Sequence, residues 1–458
     1  MKTSLFIITI LTCLIAAAWS QTTGDAVRIR QDELGLGARN LAMGGTGVVL
    51  TNDYSAIYWN PAGLSGLSQS QFMGEISHLR FSNQALFAGN QSDMGESYNH
   101  LRTLGLAIPL PTTRGSLVLA FGYNFVKDFD QYLYFTGINN LSNGLGFELD
   151  DGSGVSRFYN FDTNVSQTEE VADNGGLHQW SFGGAMALSP NFDLGVSMNF
   201  WQGKDEYSLN FRQLDDANVY NVFPADFDSY AVNQNLITNY SAFSLKLGGM
   251  FKMNQFTRLG LAMEFPTTFK VKENFSTSDE LVFDDGYTDA IQDEPGIWEY
   301  KVRTPYRFDA GLGIQTERVS LAASATYQDW SQTRFEKPDE ASLGEDYGSL
   351  LEENFLFAQN YRETINYHLG GELSLPGSNM FLRAGYAFFP TPLKDAPPEL
   401  DKKYYSGGLG FRVGGNTYLD VTYLRGSWKR QSEDSYTPGG TLEDITENRF
   451  LAGIRYAF

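Results

Sequence analysis

Four histidines, His78, His100, His178 and His368, are the side chains best suited to moving a proton near neutral pH, and they are scattered along the chain. None stands at a paired-histidine metal spacing, and no Ser-His-acid constellation stands out, so hydrolase chemistry has no residues to rest on. Cys13 is the sole cysteine, which removes disulfides, thiolate metal sites and cysteine nucleophiles from everything beyond it. Acidic runs such as Asp284-Asp285-Gly286 could draw divalent cations at a lipopolysaccharide surface. They sit, however, in the acidic stretches 279 to 293 and 340 to 353, which solvated loops explain. No catalytic group, cofactor or metal is therefore expected. A formal net charge of −21 also excludes a general affinity for nucleic acid, which needs a basic face. Three arginines remain as candidates. Arg383, Arg449 and Arg455 fall on faces that alternation turns inward, where a guanidinium can hold a carboxylate in a fork or pair with acids of its own wall.

The elements that would position them begin with an exported N-terminus. Met1 and Lys2 precede an apolar run from Leu5 to Ala18, closed by Ala18-Trp19-Ser20. This has the layout of a secretory signal peptide cleaved after Ser20; the run is too short for a spanning helix and no stop-transfer charges follow. Cys13 lies inside it, without the context of a lipidated cysteine.

Beyond it, apolar and other residues alternate with period two. Phe192, Leu194, Val196, Met198 and Phe200 share one face, and Asn191, Asp193, Gly195, Ser197 and Asn199 the other. Val319, Leu321, Ala323, Ala325 and Tyr327 stand opposite Ser320, Ala322, Ser324, Thr326 and Gln328, and Phe450, Ala452, Ile454, Tyr456 and Phe458 opposite Arg449, Leu451, Gly453, Arg455 and Ala457. A soluble sandwich would alternate too, so the connections decide. Strands are expected near 70 to 81, 99 to 110, 114 to 128, 177 to 189, 191 to 202, 238 to 253, 256 to 271, 299 to 315, 318 to 335, 362 to 376, 378 to 390, 403 to 413, 416 to 430 and 446 to 458. Between them tight turns (Pro111-Thr112-Thr113, Pro190, Asn254-Gln255, Glu317, Gly377, Gly414-Gly415) alternate with long segments, as in bacterial outer-membrane barrels with short periplasmic turns and long outer loops. An even count near fourteen puts both termini in the periplasm. Trp180, Trp201 and Tyr327 near strand ends suit aromatic girdles, and a terminal Phe458 with aromatics at alternate positions suits insertion by the outer-membrane assembly machinery.

Residues 21 to 69 do not alternate. Gly35, Gly37, Gly44 and Gly45 lie in a run of small residues and helix formers, and Asn60-Pro61-Ala62 follows, which reads as short helices plugging the bore. A nucleotide-binding fingerprint would need a preceding strand, which is absent. Here the chain resembles the long-chain fatty acid transporter family, FadL, and its TodX-type hydrocarbon channels. The Gly35-to-Gly47 stretch and Asn60-Pro61-Ala62 match the family's hatch. Tyr327-Gln328-Asp329-Trp330-Ser331 resembles a family strand end, and Arg383-Ala384-Gly385 followed by Pro390-Thr391-Pro392 a later strand and loop.

The resemblance implies an all-β, 14-stranded antiparallel transmembrane barrel in the outer membrane: signal peptide 1–20, N-terminal hatch 21–69, barrel 70–458. It further implies capture of a hydrophobic molecule, a long-chain fatty acid or hydrocarbon, by the outer loops, small hatch movements, and exit sideways into the membrane. The family's wall gap lies at a kinked third strand, where Gly122 is the candidate for the kink; Arg383, Arg449 and Arg455 become candidates for an acid's carboxylate. Some related barrels serve protein secretion or surface attachment instead, as binding modules, and that alternative stays open on sequence grounds.

Overall fold

A computed structural model describes residues 8–9, 22–31, 34–150, 155–224, 226–339 and 347–458. The expected signal peptide, 1–20, lies outside the described residues but for the pair 8–9.

Fourteen antiparallel strands form a closed barrel. They are β1 (Gln71–Phe87), β2 (Asn90–Leu110), β3 (Leu117–Asp128, continued by Gln131–Asn139), β4 (Val165–Ser189), β5 (Phe192–Leu214), β6 (Phe227–Lys252) and β7 (Thr257–Glu264, then Thr268–Phe283). The rest are β8 (Gly296–Arg303, then Arg307–Gln315), β9 (Val319–Asp329), β10 (Glu363–Ser374), β11 (Met380–Phe389), β12 (Lys402–Val413), β13 (Thr417–Ser432) and β14 (Thr441–Ala457). β1 pairs with β14 from Gln71↔Ala457 to Leu86↔Leu442, so the first and last strands shut the cylinder. Closure matters because hydrocarbon offers no partner to an open strand edge. β7 and β8 each break at a proline, Pro266 and Pro305, which cannot donate to the ladder.

The alternation sorts as expected. On β5, Leu194, Val196, Met198 and Phe200 are 39–49% exposed on the outer face, while Asp193, Ser197 and Asn199 are buried inside. Val319, Leu321 and Tyr327, and Phe450, Ile454, Tyr456 and Phe458, likewise lie outside, with Ser320, Ser324, Arg449 and Arg455 inside. Short connections gather at one end, here the turn end, between 110 and 117, 189 and 192, 252 and 257, 315 and 319, 374 and 380, and 413 and 417; the exception to the expected alternation is the two-residue turn Ala88-Gly89, which joins β1 to β2 at the other end. At the other, the loop end, stand a hairpin (Gly146–Asp150 with Ser156–Asn160) and helices of the β9–β10 connection, Gly348–Glu352 and Asn354–Asn360.

Several strands outrun their expected ends: β4 begins at Val165 rather than 177, β5 reaches Leu214 rather than 202, and β6 starts at Phe227 rather than 238. Past the outward Trp180, Phe200 and Phe243 no lipid rewards an apolar outer face, so the period-two signal fades although the ladder continues. There the apolar side chains turn inward: Phe147, Phe161, Phe227, Tyr230, Phe283 and Tyr436 form a core beyond the membrane belt.

The N-terminal segment fills the bore with four short helices, α1 (Thr23–Arg28), α2 (Ala38–Ala42), α3 (Gly47–Leu50) and α4 (Ala56–Trp59), then a 3-10 turn over Pro61–Gly66. Thr22 starts α1 with a reciprocal cap to Asp25, and the Asn60 side chain accepts the Ala62 N–H to start the turn that Pro61 opens. Helices this short have no stability of their own, so burial against the wall holds them. Leu36, Leu41, Val48, Tyr58 and Trp59 pack with the wall residues Leu177, Trp201, Phe269 and Leu451.

Candidate functional site

How firmly the bore is closed follows from paired glycines in the wall. Gly105 faces Gly122 across β2 and β3, Gly195 faces Gly248 across β5 and β6, Gly260 faces Gly311 across β7 and β8, and Gly370 faces Gly385 across β10 and β11. Each pair seats a piece of the plug. A Cβ on Gly385 would stand 2.0 Å from the Gly44 nitrogen, and one on Gly370 2.1 Å from the Met43 carbonyl. On Gly195 it would meet Ala62 at 2.3 Å, on Gly260 the Val48 carbonyl at 2.3 Å, and on Gly122 the Leu104 carbonyl at 2.3 Å and the Tyr54 hydroxyl at 2.5 Å. Plug backbone thus lies directly on wall backbone. Gly44, at φ +67°, takes the left-handed conformation that brings it there, and His368 Nδ1 donates to its carbonyl at 2.8 Å. Asn60 Nδ2 donates to the carbonyls of Val48 and of Gly249 in the wall.

Charge adds a second lock. From the plug, Arg39 meets Glu372 (2.8 Å), which meets Arg383 (2.7 Å), then Asp420 (2.6 Å), Arg455 (3.0 Å) and finally Asp53 (3.3 Å), back in the plug. Three guanidiniums alternate with three carboxylates, and both ends belong to the plug. Glu75 accepts the N–H groups of Gly37 and Ala38. On the opposite wall, Glu264 takes Arg30 at 3.0 Å and Lys246 at 3.5 Å, and Lys246 donates to the Tyr58 carbonyl. Burying such charges is tolerable only because each is matched. Arg383 is therefore placed between the wall carboxylates Glu372 and Asp420, Arg455 between Asp420 and the plug's Asp53, and Arg449 holds Asp128 together with Arg102.

Between β2 and β3 a stretch of wall is unpaired. β2 and β3 are hydrogen-bonded from Leu110↔Leu117 to Thr103↔Asn124 and no further. Two bulges meet there. Arg102 is an extra residue in β2 against β1, and Val126 one in β3 against β4. A bulge bends its strand and ends regular pairing. Phe125 and Val126 both turn inward, His100 stacks on Phe125, and above this point β3 is hydrogen-bonded along its ladder to β4 alone while it packs on the inner side of β1, Phe135 against Phe87 with ring centroids 4.5 Å apart. The seam opens level with the outward Leu101, at the edge of the lipid-facing belt. Gly122 lies within the still-paired part, under Tyr54, and the change of course falls at Val126. Among the described residues His100, Asp128 and Asp130 bring three metal-type ligands together, but Arg102 and Arg449 already hold Asp128, which makes the group an ion-pair cluster lining the seam.

Above the plug a cavity of about 320 Å³ opens beside this seam. Phe81, Phe129, Trp428, Leu393 and Leu400 give it apolar walls, and five cations (Arg28, Lys127, Lys402, Lys429, Arg430) outnumber three carboxylates (Asp128, Asp130, Glu447). Carboxylates just outside the cavity match part of this set: Asp173 and Asp205 hold Arg28, and Glu443 holds Arg430. A smaller cavity, of about 60 Å³, shares Lys127, Asp128, Lys402 and Glu447 with it and reaches Leu34, Arg102, Val126 and Arg449, at the foot of the seam.

Comparison with known proteins fits this architecture. Residues 16–444 match the family model described as outer membrane protein transport protein (OMPP1/FadL/TodX). The chain belongs to this family. It is accordingly an outer-membrane transport protein for hydrophobic compounds, and the family consists of channels rather than enzymes. No curated protein matches the sequence. The fold of this FadL/TodX member is similar to the solved structures of a Pseudomonas aeruginosa FadL homologue (15% identity, TM-score 0.57, 93% of this chain and 100% of that one) and of the P. putida toluene transporter TodX (15%, 0.60, 93% and 99%). The Ralstonia pickettii toluene transporter TbuX is a further neighbour (16%, 0.52, 93% and 99%).

Sequence reasoning placed the hatch glycines and Asn60-Pro61-Ala62 but not their seats, because a wall glycine on an inward face looks like any small residue until its partner strand is known. It also passed over Lys127, Lys402, Lys429 and Arg430, which sit on strands where alternation says nothing about a cavity. The run Phe125-Val126, two apolar residues in succession inside an alternating strand, was the signal that a bulge was present.

Proposed function

We propose that this FadL/TodX member takes up an amphipathic acid with a long apolar body, a long-chain fatty acid in the first instance. The observation that carries the reading is the cavity above the plug, with its apolar walls and the cations that line it. A neutral aromatic hydrocarbon needs no lining cations, whereas a carboxylate entering a partly dehydrated site does. At about 320 Å³ the cavity stands at the small end of ligand pockets, ~300–1,000 Å³, enough for part of an acyl chain, with the remainder directed toward the seam. The loop end faces outward and the turn end, with both termini, the periplasm; Phe458 serves recognition by the assembly machinery, and lipopolysaccharide surrounds the loop end.

In this reading the plug stays anchored by its glycine seats and ion pairs, and movement is confined to the side chains of Gln31 and Leu34, which line the two cavities. The ligand leaves through the β2/β3 seam into the membrane, driven by binding and by its gradient. The test is a pair of titrations, with an acid and with its methyl ester, on the native chain and on a Lys127→Gln/Lys402→Gln variant. The acid should lose affinity by roughly tenfold or more, the worth of one charge-assisted bond, and the ester little. Equal losses would remove the carboxylate from the proposal.

A further inference from the structure

Beyond the membrane belt, a separate cavity of about 210 Å³ lies between β3, β4 and the connection from β13 to β14. Glu169 and Asp434 both line it, and their carboxyl groups interact. Glu169 is 3% exposed and its Oε2 has no hydrogen-bond partner; Thr441, also lining the cavity, is 1% exposed and its Oγ1 has none either. Two such buried oxygens on residues that line one hollow require an explanation, since such atoms cost on the order of 1–3 kcal/mol each when left unpaired.

The other charges nearby are spoken for. Arg430 forks onto Glu443 at 3.0 and 2.7 Å, and Ser432 and Asn83 complete the Glu443 carboxylate. Glu433 accepts the Gly439 N–H. Asp434 spends Oδ1 on the N–H groups of Tyr436 and Thr437 and on the Thr437 hydroxyl, which leaves Oδ2 for the cavity. What remains is two carboxylates, a hydroxyl and space. Two carboxylates so placed must share a proton or a cation.

We propose that this cavity is a divalent-cation site, suited to calcium, that ties the β13–β14 connection to the wall. The donors are all oxygen, the choice of a hard cation, and two negative charges match a divalent one. Waters, at ~30 Å³ each, complete the shell within the cavity's 210 Å³. Gln131 and Arg430 line both this cavity and the cationic one beside the seam, and Arg430 donates to Gln131, so filling one stiffens a wall of the other.

The test uses the full chain in detergent, stripped with EDTA and titrated with calcium alone in a calorimeter. Wild type should take up one ion per chain, with a dissociation constant on the order of 10⁻⁴ M, as in extracellular modules. Glu169→Gln and Asp434→Asn should each raise it by about tenfold or more, since ligand charge sets affinity, while Asp284→Asn, in an exposed loop, should not. Calcium should also protect the 432–441 connection from protease in wild type but not in Glu169→Gln. Should either charge variant fail to show the heat-modifiable gel mobility of a folded barrel, Thr441→Val, which removes only a neutral ligand, and wild-type protease protection decide. Absence of stoichiometric calcium uptake by wild type, or equal uptake by all variants, overturns the proposal and leaves a carboxyl pair sharing a proton.

Discussion

Replacing Gly385 by valine should unseat the plug while leaving the barrel standing. The added Cβ would lie 2.0 Å from the Gly44 nitrogen and 2.4 Å from the Met43 carbonyl carbon, roughly 1.5 Å inside the ~3.5 Å at which such atoms touch. Both sides are backbone, so no side chain can swing away. Moving Met43 and Gly44 that far breaks the bonds that hold them: Gly44 N–H to Ser406 Oγ (3.2 Å), Ser406 Oγ–H to the Ala42 carbonyl (3.1 Å) and His368 to the Gly44 carbonyl (2.8 Å). Three bonds at ~1 kcal/mol each, plus ~1–3 kcal/mol of overpacking, give about 4–6 kcal/mol against the seated plug. The wall itself keeps its ladder, because a strand accepts valine and the Gly370 pairing uses backbone atoms alone. Conductance of single molecules in a planar bilayer is the assay. The native chain should pass little current, Gly385→Val should show open bursts, and Ala384→Val, on the lipid-facing side of the same strand, should behave as native. A Gly385→Val protein as silent as the native one would refute the seat argument.

Three further perturbations bear on the account. Arg383→Met leaves three buried carboxylates to two guanidiniums, Glu372 keeping only Arg39 and Asp420 only Arg455, and should cost about 3–5 kcal/mol, read as a clear fall in the unfolding temperature; Arg412→Met, at an exposed position, should change it little. Deleting Val126 removes the β3 bulge, and ladder pairing with β2 should then extend past Asn124; uptake of labelled ligand should fall while the folded, heat-modifiable form persists, and undiminished uptake would count against the seam. Trp428→Ala strips an apolar wall from the cationic cavity and should weaken binding of acid and ester alike, by ~1–3 kcal/mol for the area lost, in contrast to the charge variants.

The wall was legible because lipid imposes one rule on every strand: outward residues must be apolar. Leu194 to Phe200 and Phe450 to Phe458 obey it, and their register follows from the same residues. Where the rule lapses, so does legibility, as in the first dozen residues of β4, whose ladder runs on without an apolar outer face. The plug was legible from composition, since Gly35, Gly44 and Asn60-Pro61 have no place in a strand, but not its fit, which depends on glycines such as Gly248 and Gly385 far along the chain. The arginines show the same limit. Alternation placed Arg383, Arg449 and Arg455 inside correctly, yet their partners Glu372, Asp420 and Asp128 come from other strands, and only the closed barrel brings them together.

In the proposed route the plug from Gly35 to Gly66 stays fixed and solute passes beside it, through the seam. Ala38 Cβ stands 3.4 Å from where a Cβ on Gly453 would be, close to the ~3.5–4.5 Å span of a disulfide, and Cys13 is the sole native cysteine. An Ala38→Cys/Gly453→Cys variant, oxidised to bolt α2 onto β14, should take up labelled fatty acid at the rate of its reduced form. Uptake that stops on oxidation and returns on reduction would mean that the plug itself must move, and would contradict the account.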